Sequence, residues 1–145
     1  MKVYPVGVFV ITALGLGGCG KAFDDARKAA LKSEGDILLE DLRRHAKAYV
    51  AERGELPKGT VGPSPAKACC PARCEPSPAP WNEPLWKAFD FQVTGPSTFQ
   101  YSYTSDGKTF TATAVGDPDC AGAPVTIELT GSIVGGDLVT KVAKH

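Results

Sequence analysis

The sequence predicts an α+β domain: an N-terminal amphipathic helix packed on a four-stranded antiparallel β-sheet and stapled by disulfides. Three observations carry this. Apolar residues recur at helical spacing through residues 22–53, apolar and polar residues alternate with period two through the last third, and four cysteines beyond position 19 form an even set. The chain of 145 residues is in the one-domain range. Its 16 Lys and Arg balance 16 Asp and Glu, which argues against nucleic acid as a partner.

At the amino terminus, Lys2 is followed by an apolar stretch, residues 3–16, and then by Gly17 and Gly18. This is the order of a secretory signal, and the stretch is shorter than the roughly 20 apolar residues a spanning helix needs. Leu16-Gly17-Gly18-Cys19 resembles the lipobox of bacterial lipoproteins, whose cysteine becomes the first mature residue and carries the acyl chains, palmitate among them. The resemblance implies lipidation of Cys19 and a membrane partner reached through that anchor, and several acyl chains hold a protein stably on a bilayer. Lys21 stands where inner-membrane lipoproteins often place aspartate, so the outer membrane is favoured over the inner. The expected organisation is a signal peptide over residues 1–18, a lipidated tether over 19–35 and a globular domain over 36–145.

In the helical segment, Leu31, Leu38, Leu42, Ala46 and Tyr49 share one face, which Leu39 and Val50 widen. Glu40, Arg44 and Lys47 lie opposite, with Glu40 and Arg44 spaced for an i,i+4 pair. Ser33, Gly35 and Asp36 suggest a kink or a break, leaving residues 37–53 as the helix that crosses the sheet. Gly54 and Pro57 end it. Residues 55–84, rich in proline, glycine and alanine, read as a long loop without regular structure. Trp81, Trp86, Phe89 and Phe91 then supply bulky core residues, with a short helical turn near Leu85.

Four strands follow. Phe99, Tyr101 and Tyr103 alternate with polar residues, Asp106-Gly107 marks a tight turn, and Phe110, Ala112 and Ala114 alternate with threonines. Val125, Ile127, Leu129 and Ile133 continue the period, and Gly135-Gly136 turns the chain into a last strand over residues 138–142.

Cys69, Cys70, Cys74 and Cys120 are expected to form two disulfides in an exported protein. A bond between the neighbours Cys69 and Cys70 is disfavoured by ring strain, so Cys120 pairs with Cys69 or Cys70 and Cys74 takes the other. Zinc is the rival reading of Cys-Cys-x-x-x-Cys, and it loses to the oxidising envelope and to the poor reach of adjacent thiolates around one tetrahedral ion.

Ala48-Tyr49-Val50-Ala51-Glu52-Arg53-Gly54-Glu55-Leu56-Pro57, Trp86-x-x-Phe89-x-Phe91, Phe99-Gln100-Tyr101-Ser102-Tyr103, Phe110-Thr111-Ala112-Thr113-Ala114 and Gly116-Asp117-Pro118-Asp119 follow one another through residues 36–140. The helix end, the variable loop and the sheet resemble the globular part of type IV pilins and pseudopilins, and the run from Trp86 to Asp119 resembles the carboxy-terminal half of pilin-like proteins from myxobacteria and their relatives. Pilins keep a long apolar helix after their cleavage site. Here the apolar run precedes it, so the resemblance implies a pilin-like head on a lipid tether. In such relatives the Gly-Asp-x-Asp segment resembles a calcium loop, but Ala121 replaces the further acid, and Asp117 and Asp119 read as turn residues rather than calcium ligands.

No catalytic residue, cofactor or metal site is expected. His45 and His145 are the only histidines, the pairs Asp24–Asp25 and Asp117–Asp119 lie in a charged helix and a turn, and no nucleophile elbow or phosphate loop is present. The expected function is a structural or interaction role in the envelope, accessory to type IV pilus or type II secretion subunits; that last step follows from the resemblance. The alternative is a ligand-binding lipoprotein that holds a small molecule or envelope polymer on Phe99, Tyr101, Tyr103 and Phe110.

Overall fold

The computed structural model describes residues 19–145, and within the helix the side chains of residues 19, 27, 28 and 30–33 lie outside the description. Helix α1 runs from Cys19 to Arg53 without a break. At 1.5 Å per residue it is about 52 Å long. Its buried positions, Gly35, Leu39, Leu42, Ala46 and Val50, are spaced three and four apart, with Leu38 and Tyr49 half-buried beside them. The outer face is laced by i,i+3 pairs: Arg43 donates to Glu40 and Arg44 to Asp41, in place of the expected Glu40–Arg44 pair. Gly54, at φ 72°, ends the helix and donates its N–H to the Val50 carbonyl at 2.8 Å.

Gly35 does not break the helix. A Cβ built there would stand 2.8 Å from Ile127 Cδ1 and 3.0 Å from Phe99 Cε1, so the glycine allows the helix backbone to rest directly on those two side chains. The sequence signal for a break is instead a close approach.

Five strands form one antiparallel sheet in chain order: β1 Gly59–Ser64, β2 Phe99–Ser105, β3 Thr109–Gly116, β4 Val125–Val134 and β5 Asp137–Lys144. This corrects the expected architecture on two counts. The sheet has five strands, not four, and the helix is not a segment of residues 37–53 but one unbroken element through Cys19–Arg53. The added strand, β1, comes from the stretch read as an irregular loop. Its Gly-Thr-Val-Gly-Pro-Ser sequence shows no alternation, and a shift of register between Val61 and Ser64 accommodates Pro63. Proline is tolerated there because β1 is an edge strand.

The remaining strands follow from alternation. Phe99, Tyr101, Tyr103, Phe110, Ala112, Ala114, Ile127 and Leu129 point to the helix side and are buried, while Ser102, Thr111, Thr113 and Thr130 occupy the outer face. In the β2–β3 turn, Asp106 Oδ1 accepts the N–H groups of Thr109 and Lys108 at 2.7 and 2.8 Å, and these bonds hold its carboxyl below the ordinary carboxylate range. Gly135 and Gly136, both at positive φ, form the two-residue β4–β5 turn.

Between β1 and β2 the chain makes a single 3₁₀ turn, Ala79–Trp81, and a short helix α2, Pro84–Ala88. These carry Trp81 and Trp86, which with Phe89, Phe91, Tyr101 and Tyr103 belong to one buried core; Trp81, Trp86, Phe91 and Tyr101 form one set of ring contacts, and Phe89 meets Tyr103 edge-on at 4.8 Å. Trp86 Nε1 donates to Ser64 Oγ at 2.9 Å, so its polar edge is satisfied inside.

Candidate functional site

The polar and cross-linked groups gather where the upper part of α1 meets the loop between β1 and α2. Cys69 bonds Cys74, with Cα atoms 4.8 Å apart, and Cys70 bonds Cys120, at 5.5 Å. The first bond closes a small ring and buries Cys69. The second fastens the loop to the β3–β4 connection. Cys74 also exchanges two backbone hydrogen bonds with Ser97, at 2.8 and 3.0 Å. A segment with little regular structure is thus closed on itself once and pinned to the rest of the chain at two points.

Glu34 couples this loop to the helix. Its carboxylate accepts Arg73 Nη2 at 2.8 Å and the hydroxyl of Ser97, and its side chain is only 17% exposed. Ser97 Oγ in turn accepts the N–H of Phe99 at 3.0 Å, so one chain of hydrogen bonds runs from loop to helix to sheet. The hydroxyl of Tyr101 lies buried without a hydrogen-bond partner among the described residues. Burial first, and then the Glu34 charge, push its phenol well above the ordinary range, so it stays neutral. Sequence reasoning missed Glu34, Arg73 and Ser97. Glu34 adjoins Gly35 on the buried face, which was a usable signal; nothing local marks Arg73.

The residues singled out beforehand divide clearly. Cys69, Cys70, Cys74 and Cys120 come together as disulfides. Cys19 is the first described residue of α1, but its side chain lies outside the described ones, as do residues 1–18 and the expected signal peptide. Asp117 accepts the N–H groups of Ala121 at 3.3 Å and Gly122 at 2.6 Å, so its carboxylate shapes the turn that presents Cys120. Asp119 is exposed on the same turn. Among the described residues no three of His, Cys, Asp and Glu are grouped to hold a metal ion. His45 Nε2 is 3.7 Å from Asp41 on the helix surface, and Asp24 and Asp25 are exposed. His145 continues β5 through backbone bonds with Thr126.

The aromatic surface considered as a ligand platform does not exist as a surface, because Phe99, Tyr101, Tyr103 and Phe110 are buried beneath the helix and α2. Among the described residues, a mostly apolar cleft lies beside Cys74, between Pro65, Pro76, Trp81 and Val93. Its volume of about 230 Å³ is below the roughly 300–1,000 Å³ of common ligand pockets. Chemically, the assembly fastens the loop to the helix and to the β3–β4 connection. Among the described residues, no helix is long and apolar enough to cross a membrane. The sequence matches no family model, and neither a curated protein nor a solved structure matches the chain.

Proposed function

We propose that the chain is an envelope lipoprotein with a structural or interaction role, a pilin-like head held on a helical stalk by lipid on Cys19. The observation that carries this reading is the continuity of α1. Residues 20–26 are exposed, the first buried position described along the helix is Gly35, and the same helix then enters the core. Sixteen residues before Gly35 span roughly 24 Å, enough to hold the head clear of lipid headgroups. The pinned loop adds a rigid lateral surface suited to contact rather than turnover. Partners in a type IV pilus or a type II secretion assembly follow from the sequence resemblance and belong to this proposal.

The test is mass spectrometry of the full chain isolated from membranes, combined with co-purification of pilus or secretion subunits. The expected result is a polypeptide beginning at Cys19 with the added mass of acyl chains, accompanied by such subunits. A chain that retains residues 3–16, or has an unmodified thiol at position 19, overturns the tether. A saturable rise in melting temperature with a small molecule would move the assignment to the ligand-binding reading.

A further inference from the structure

The two edges of the sheet differ. Edge strand β1 holds two glycines, Pro63 and a register shift, and Leu85 of α2 packs over Gly59. Such an edge pairs poorly with another strand. Edge strand β5 has eight residues, no proline and an unbroken register against β4.

His145 and Thr126 exchange both backbone hydrogen bonds, which fixes the alternation along β5. Asp137, Val139 and Lys141 therefore bond inward to β4, and the N–H and C=O groups of Leu138, Thr140 and Val142 point to the open edge. Among the described residues, none supplies those groups with a backbone partner.

On the outer face the edge reads Asp137, Val139, Lys141, all exposed, with Val139 55% exposed and Val134 of the adjoining strand 59% exposed. Asp137 and Lys141 have no ion-pair or hydrogen-bond partner for their side chains among the described residues. This order is self-complementary when the strand meets a copy of itself antiparallel about Val139. Asp137 then faces the partner's Lys141, Val139 faces the partner's Val139, and Lys141 faces the partner's Asp137. Centring on Lys141 would oppose two cations, and centring on Thr140 would set Val139 against the partner's Lys141. Opposite charges directly across a strand pair stabilise it and like charges oppose it.

We infer that β5 is a homodimerisation edge, joining two copies of this chain into one sheet by antiparallel β5–β5 pairing centred on Val139. A two-fold contact of this kind closes on itself, and the protected β1 edges keep the assembly from growing further. The inference deepens the interaction reading by naming a second copy as the partner. The assay below needs no acyl chain, so its failure and a failure of the lipid tether are told apart by the mass measurement above.

The test is cysteine cross-linking of the purified full chain. Val139 and the partner's Val139 form a non-hydrogen-bonded pair with Cα atoms about 4.5 Å apart, within disulfide reach. Val139→Cys is expected to give a covalent dimer on mild oxidation, whereas Val115→Cys, on the outer face of central strand β3, gives only the background of the parent chain. Adding Asp137→Lys to Val139→Cys opposes cations at both ends of the pair and lowers the dimer yield about fivefold. Adding Lys141→Asp as well restores the yield. Equal cross-linking at positions 139 and 115, or a yield indifferent to the charge reversal, overturns the inference.

Discussion

Gly35 lies where the helix backbone presses on Ile127 and Phe99, so its missing side chain sets the distance between α1 and the sheet. Gly35→Val is expected to lower stability by about 2 kcal/mol through overpacking, read as a lower urea midpoint with an unchanged slope. The same residue shows why part of the site was hidden. A glycine in a helical pattern signals a break to a local reading, and only the strands packed beneath it reveal the contact. Glu34 and Arg73 are 39 residues apart, and no spacing rule joins them. The phenols give a second expectation. Tyr103 ordinarily titrates at 10.0, and burial pushes it up to about 12. Its contribution is fully present below pH 10 and is lost as the pH rises through 12, because the unfolded chain releases its proton first. Tyr101, displaced in the same direction, adds to this loss. Urea midpoints measured from pH 9 to 12 should fall steeply, and the Tyr101→Phe, Tyr103→Phe double variant should fall less.

Hairpins β2–β3 and β4–β5 were legible because alternation and turn chemistry agree: Gly107, Gly135 and Gly136 supply the positive φ that tight turns require. Strand β1 was not, because an edge strand of glycine, proline and serine is stabilised by its neighbour β2 rather than by its own pattern. The disulfides were half legible. Parity and the envelope reading gave two bonds, but the choice between Cys69 and Cys70 as the partner of Cys120 depends on which thiol faces the β3–β4 turn. The two bonds should differ in weight. The Cys70–Cys120 bond spans 50 residues and Cys69–Cys74 spans 5. In the chain-entropy model these loops stabilise by about 4 and about 2 kcal/mol. Replacing Cys70 and Cys120 together by alanine should therefore lower the denaturation midpoint more than replacing Cys69 and Cys74 together. Equal losses would show that the small ring acts through its buried contacts instead.

For the molecule as a whole, one helix runs from an exposed stretch at residues 20–26 into the core, and the sheet has one protected edge and one open edge. Cys19→Ala should release the chain from membranes while leaving its melting temperature within about 1 °C, since residues 20–26, which follow position 19 on α1, are exposed. A large fall in melting temperature would place Cys19 in the fold rather than on a tether. The long bridge also changes what damage does to the protein. The exposed stretch around Glu75 and Ser77 invites proteolysis, yet a cut there leaves both fragments joined through Cys70 and Cys120. The nicked molecule keeps its full mass on a gel run without reductant and separates into two bands only when thiol is added, so a wounded copy stays in place as one covalent body.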